Sequence, residues 1–186
     1  SVDMSSGEWL VLARTRHMLK DVEDSLYRKG FYYENRYKRN YEKDLQEAAT
    51  DWEHLRQGQL LSYKQIEKIS KYIAPDNWEK EKIKGMTKGS FFGIDQLTKD
   101  YGLKTKKVWY ESLNDAGTRR VEYLRKMRAN GEQLNKKPRI ELSTIHAAKG
   151  GESQNVVLLT DLTKTTMETY EKNADDENRL FYVGAT

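Results

Sequence analysis

Residues 143–152, Ser-Thr-Ile-His-Ala-Ala-Lys-Gly-Gly-Glu, hold the densest set of chemically competent side chains in this chain of 186 residues. The Ser143 and Thr144 hydroxyls and the His146 imidazole are short hydrogen-bond donors suited to phosphate oxygens. Gly150 and Gly151 let backbone amides approach an anion closely. Lys149 adds a positive charge, and Glu152 an acceptor able to bind ribose hydroxyls. By themselves these residues also make an ordinary Gly-Gly turn beside a lysine, and His146 an ordinary turn histidine. A second patch, Glu-Asn-Arg-Leu-Phe-Tyr-Val-Gly-Ala-Thr over residues 177–186, carries Arg179, placed to pair with a carboxylate. Beside it, Leu180 and Val183 at i,i+3 spacing turn toward a core.

A strand must deliver the first of these loops. Ile140 and Leu142 mark a short one over 139–143, and a second runs from Asn155 to Thr160. Ligands in open α/β sheets gather beyond the carboxyl ends of such strands. At the other end of the chain, residues 8–13 are a nearly continuous apolar run, as expected of a strand buried on both faces. Thr15 is placed to cap the helix that follows, where Leu19, Val22 and Leu26 recur at helical spacing. Gly30 ends that helix and residues 31–33 read as another strand, which completes a βαβ unit.

From about Asn40 the pattern turns helical. Leu45, Ala48, Ala49, Trp52 and Leu55 mark one amphipathic helix, and Ser62 with Gln65 forms a capping box before another. Pro75 breaks the chain ahead of a helix near Trp78, and residues 85–93 form a glycine-framed loop around Phe91 and Phe92. Further helices are expected at about 94–101, 105–113 and 116–129. Residues 161–174 read as a loop, and Asp175 or Asp176 as the cap of a final helix. The expected architecture is α/β: one domain made of residues 1–39 and 139–186, interrupted by a helical insertion over 40–138.

Composition narrows the function classes. No cysteine is present, which excludes disulfides and argues against a structural zinc site. No apolar run approaches the ~20 residues that span a bilayer, and no signal pattern opens the chain, which fits a cytosolic protein without a membrane partner. The formal net charge is +4, unevenly spread. Residues 36–138 hold 23 Lys+Arg against 15 Asp+Glu, and both flanks are mildly acidic. That balance fits a polyanion partner for the middle segment, and equally a merely soluble helical surface. Trp78, Phe91, Phe92, Trp109 and Tyr110 interleave there with lysines, a pattern of base-stacking surfaces and, more often, of small helical cores.

Taken together, Thr144, His146, Ala148, Lys149, Gly150 and Glu152, then Glu177, Arg179, Leu180, Tyr182, Val183, Gly184 and Thr186, resemble the last two motifs of UvrD/Rep-type superfamily 1 DNA helicases. The opening Leu10-Val11-Leu12-Ala13-Arg14-Thr15-Arg16 resembles the strand and Arg-bearing turn that begin the second RecA-like domain of that family. Gly151 and Ser153 depart from the leucine and aromatic usual there. The resemblance covers residues 8–35 and 139–186, and residues 40–138 stand where the family carries a helical accessory subdomain.

That resemblance implies a RecA-like fold and a share in an ATP-dependent motor. Lys149, Gly150, Glu152 and Arg179 become candidates for the nucleotide side. Arg14, Ser143, Thr144 and His146 become candidates for the DNA side, although Arg14 equally suits a surface salt bridge. ATP and Mg²⁺ would serve the complete protein, with no metal ligand expected from this chain. Its partners would be single-stranded and junction DNA and the first RecA-like domain of the same polypeptide. Family travel is 3′ to 5′. The family arginine that stabilises the transferred phosphoryl group falls just after Thr186, and no G-x-x-x-x-G-K-[ST] loop is present, so the chain alone is expected to be inactive. Two other readings are a helicase–nuclease fragment of the RecB or AddA type, and a non-catalytic DNA-binding or protein-interaction module with a degenerate RecA-like fold.

Overall fold

A computed structural model describes residues 2–38, 42–133, 136–148, 151–161, 167–168, 170–171 and 174–185. The chain divides into two compact units, Ser1–Asn40 with Lys126–Thr186, and Tyr41–Arg125.

The first unit is built on four parallel strands: β1 (Trp9–Ala13), β2 (Tyr33–Asn35), β5 (Ile140–Thr144) and β6 (Asn155–Leu158). Their order is β2-β5-β1-β6. β1 is central, with Leu10, Val11, Leu12 and Ala13 all buried, because a parallel strand covered on both faces must be apolar on both. Alternation along β1 separates two cores. Val11 and Ala13 join Leu19 and Leu26 of helix α1 (Leu19–Lys29), with Ile140 and Leu142 of β5. Leu10 and Leu12 join Ile145, against which Leu158, Leu180 and Phe181 pack; the last two belong to the final helix α8 (Ala174–Ala185). Gly184 permits that approach, since a Cβ there would meet Leu158 Cδ1 at 3.1 Å and Ile145 Cγ2 at 3.3 Å.

Three local expectations are corrected in this unit. Thr15 does not cap α1 through its side chain. A 3₁₀ turn (Arg16–Met18) intervenes, and the Thr15 hydroxyl is buried without a hydrogen-bond partner among the described residues. β2 begins at Tyr33 rather than Phe31, because Phe31 is used to end the helix. With Gly30 left-handed at φ 74°, the Gly30 and Phe31 amides donate to Tyr27 and Leu26 carbonyls, a Schellman closure. β5 lies between β2 and β1, so the βαβ crossover skips one strand position. Finally, Asp175 is the second residue of α8 rather than its cap.

The second unit contains α2 (Glu42–Arg56), β3 (Leu61–Ser62), α3 (Tyr63–Ser70), α4 (Lys80–Lys84), β4 (Phe91–Phe92), α5 (Ile94–Asp100), α6 (Trp109–Ser112) and most of α7 (Thr118–Ala129). Leu45, Ala48, Ala49, Trp52 and Leu55 form the buried face of α2, as their spacing requires. The Gln65 carboxamide accepts from the Ser62 amide at 3.0 Å, which opens α3. Phe91 and Phe92, expected in a loop, pair antiparallel with Ser62 and Leu61. Trp78 makes an isolated bridge with Leu103, and the helix expected near it starts at Lys80. The helix expected over 105–113 shrinks to Trp109–Ser112. The Lys106 and Lys107 carbonyls accept from Arg56 Nε (2.9 Å) and Trp52 Nε1 (2.8 Å), and these carbonyls are thereby held out of a helical ladder.

Charge follows this division. Tyr41–Arg125 holds 16 Lys+Arg against 14 Asp+Glu, so most of the basic excess lies in 36–40 and 126–138. Within the second unit Lys80, Lys82, Lys84, Lys106 and Lys107 each face a carboxylate, from Asp115, Glu79, Glu81, Asp95 and Glu111. Such exposed pairs are worth ~0–1 kcal/mol apiece, but they neutralise the surface that the lysine count promised. Trp78, Phe92 and Trp109 are buried, whereas Phe91 is 64% exposed.

Candidate functional site

Because all four strands run the same way, their carboxyl ends bring three sequence-distant turns to one edge. Register fixes the neighbours: Ala13 pairs with Thr144, and Asn35 with Leu142. Arg14 leaves β1 beside the turn in which Ile145 and His146 leave β5. Continuing the β2 register puts Arg36 and Tyr37 alongside Ser143 and Thr144, and the Arg36 amide extends the ladder to the Leu142 carbonyl (3.2 Å).

The turn after β5 is tight. Thr144 O accepts the amides of Ala147 (3.1 Å) and Ala148 (3.0 Å), and the Ile145 amide bonds Ala13 O (3.1 Å). This geometry buries Ser143 and Thr144 while lifting His146 into solvent. Tyr37 and Arg36 hold the turn from two sides. The Tyr37 hydroxyl lies 2.7 Å from Thr144 Oγ1 and accepts from the Thr144 amide at 3.3 Å. Arg36 Nη1 donates to the Ala147 carbonyl. Arg16 stacks on the Tyr37 ring, its guanidinium carbon 4.0 Å from the centroid.

The turn after β2 is itself braced: Asn35 Oδ1 accepts the Tyr37 amide at 3.0 Å, an Asx turn. Burial raises the Tyr37 phenol's pKa, but the Thr144 hydrogen bonds and the Arg16 charge outweigh it, leaving the group below its ordinary value.

A cleft of about 350 Å³ runs between this edge and the amino ends of β1 and β5, its walls including Trp9, Arg139, Arg36, Glu141, Ala147 and Glu152. It offers a guanidinium donor and a carboxylate acceptor within one concave surface. Gly151 sits close against the turn, where a Cβ would come within 3.1 Å of Ala148 O.

The site residues expected from sequence therefore separate. Arg14, Ser143, Thr144 and His146 come together at the strand ends, Arg14 half-buried. Glu152 lines the cleft. Arg179 is exposed on α8, and no ion pair involves it among the described residues. Lys149, Gly150 and Thr186 lie outside the described residues, as do the side chains of Glu177 and Val183. Arg16, Arg36 and Tyr37 were missed. The signal was there: Asn35-Arg36-Tyr37-Lys38 puts a turn-forming Asn ahead of interleaved basic and aromatic residues. Ending the strand at Tyr33 hid it.

A parallel sheet with helices on both faces and its polar turns gathered at the strands' carboxyl ends is a RecA-like α/β domain. A family model, the UvrD-like helicase C-terminal domain, matches residues 12–186. The chain belongs to that family. Neither a curated protein nor a solved structure gives a significant match.

Proposed function

We propose that this domain works in an ATP-dependent superfamily 1 DNA helicase, where it supplies one wall of the ATP cleft and part of the single-stranded DNA track. The observation that carries the reading is the convergence of Arg14, Arg16, Thr144 and His146 at one sheet edge. Cations and short donors suit phosphate contacts, which position a strand without reading its sequence. The adjacent cleft supports a nucleotide: Glu152 suits ribose hydroxyls, and Arg36 suits phosphate oxygens.

Lys149, Gly150 and Arg179 complete the proposed nucleotide side. ATP supplies the phosphoryl group, whose developing charge the cationic side chains would stabilise. No group of three or more His, Cys, Asp or Glu is placed to hold a metal among the described residues. The resemblance to the family assigns the Mg²⁺ ligands to the first RecA-like domain, the proposed partner that also carries the phosphate loop. Single-stranded and junction DNA is the proposed substrate. No helix among the described residues is long and apolar enough to cross a membrane.

The test uses ATP turnover. In a polypeptide joining these residues to a phosphate-loop domain, Glu152→Ala or Arg179→Ala should lower DNA-stimulated hydrolysis at least tenfold. The 186-residue chain alone should turn over no ATP. Turnover by the chain alone, or unchanged turnover in both variants, contradicts the reading.

A further inference from the structure

Two hydroxyls 2.7 Å apart share one hydrogen bond, and between them they own two protons. Whichever of Tyr37 and Thr144 donates inward, one proton is left to donate outward. The Tyr37 oxygen already accepts the Thr144 amide, so the pair is anchored to the backbone of β5 as well as to its side chain. Over the same ring lies the Arg16 guanidinium, 4.0 Å from the centroid. A guanidinium over a ring face keeps N–H groups able to donate elsewhere. One hydroxyl proton and one cation are thus held side by side by a single aromatic residue.

We propose that Tyr37 is the positioning residue of the strand-contact edge: it pins Thr144 and shelves Arg16 so that the outward proton of the hydroxyl pair and the guanidinium meet one DNA phosphate together. The proposal rests on the reading of this edge as part of a DNA track. Its geometry is specific to tyrosine. Phenylalanine would keep the shelf and lose the pin, whereas a small residue would lose both. The Asx turn at Asn35 and the Arg36–Ala147 bond fix where Tyr37 stands, so the ring is braced from its own strand and does not depend on bound DNA. The bridge joins residues 107 positions apart, so changing the β2 turn alters the β5 turn.

The experiment follows binding of a fluorescein-labelled oligodeoxythymidine to the 186-residue chain by anisotropy over a salt series. Tyr37→Phe should weaken binding roughly three- to tenfold, the range of one hydrogen bond, and leave the salt slope unchanged. Arg16→Ala should lower the slope by about 0.7, the value for one phosphate contact on a single strand. Thr144→Val should weaken binding as Tyr37→Phe does, the double variant should be no weaker than Thr144→Val, and Thr144→Ser should recover most of the loss.

Additive losses in the double variant overturn the proposal. So does a Tyr37→Phe protein that melts earlier by circular dichroism yet binds DNA as before, which would make the residue merely structural. In both cases salt-dependent binding by the parent chain leaves the DNA-track reading standing. Absence of that binding in the parent overturns the reading and the proposal with it. If Tyr37→Phe does not fold, Thr144→Val against Thr144→Ser reads the same pair from its other member.

Discussion

Tyr33 and Tyr37 stand four residues apart, and their surroundings drive their phenols in opposite directions. Tyr37 is lowered by donors and a cation. Tyr33 is raised well above 10.0, first by burial and then by Glu23, whose carboxylate accepts its hydroxyl at 3.4 Å. A phenol whose folded pKa exceeds its unfolded one keeps its proton longer in the folded state. Its contribution to stability is complete below pH ~10 and is lost as pH rises above that. Chemical denaturation of the parent from pH 9 to 11 should show that fall, and Tyr33→Phe should flatten it; an equal slope in both proteins would refute the assignment. Residue type alone told little here. Thr144 and His146 could be named from a ten-residue pattern, because their chemistry is local. Asn35-Arg36-Tyr37-Lys38 signalled only a polar turn, because what Arg36 and Tyr37 touch is set by register with a strand more than a hundred residues away.

The elements around α1 show why the strand boundaries moved. Gly30 is left-handed at φ 74°, and a Cβ there would lie 2.3 Å from Lys126 Cβ. The last turn of α7 packs close enough to satisfy the open carbonyls of α1: Lys126 Nζ donates to Arg28 O (2.9 Å), and Asn130 Nδ2 to Lys29 O (2.9 Å) and Gly30 O (3.0 Å). Gly30→Ala should therefore cost more than the ~1 kcal/mol of the backbone term alone, on the order of 2–4 kcal/mol, read as a lower urea midpoint at unchanged m. A cost under 0.5 kcal/mol would mean that the approach of α7 is not tight. The helix itself was readable from Leu19, Val22 and Leu26. What ends it was readable from Gly30. That Phe31 closes the helix instead of opening β2 depends on the Leu26 carbonyl, which periodicity does not report.

For the whole molecule, the informative quantity is where charge sits relative to the two units. Sequence windows gave the middle segment a clear basic excess. The compact second unit retains 16 basic against 14 acidic residues, many of the lysines facing carboxylates. The remaining excess belongs to segments grouped with the sheet, including Arg36 and Lys38 beside the candidate edge. The α/β class was legible because short apolar runs of strand length flank a segment of helical period. The ownership of the basic residues was not, since it is set by packing.

The central claim is that nucleic acid is met at the carboxyl edge of the sheet. Backbone amide shifts of the 186-residue chain, followed by NMR as an oligodeoxythymidine is added, test it most directly. The account predicts the largest changes at residues 14–17, 36–38 and 143–148. Changes confined to Tyr41–Arg125, with those three turns silent, would contradict it.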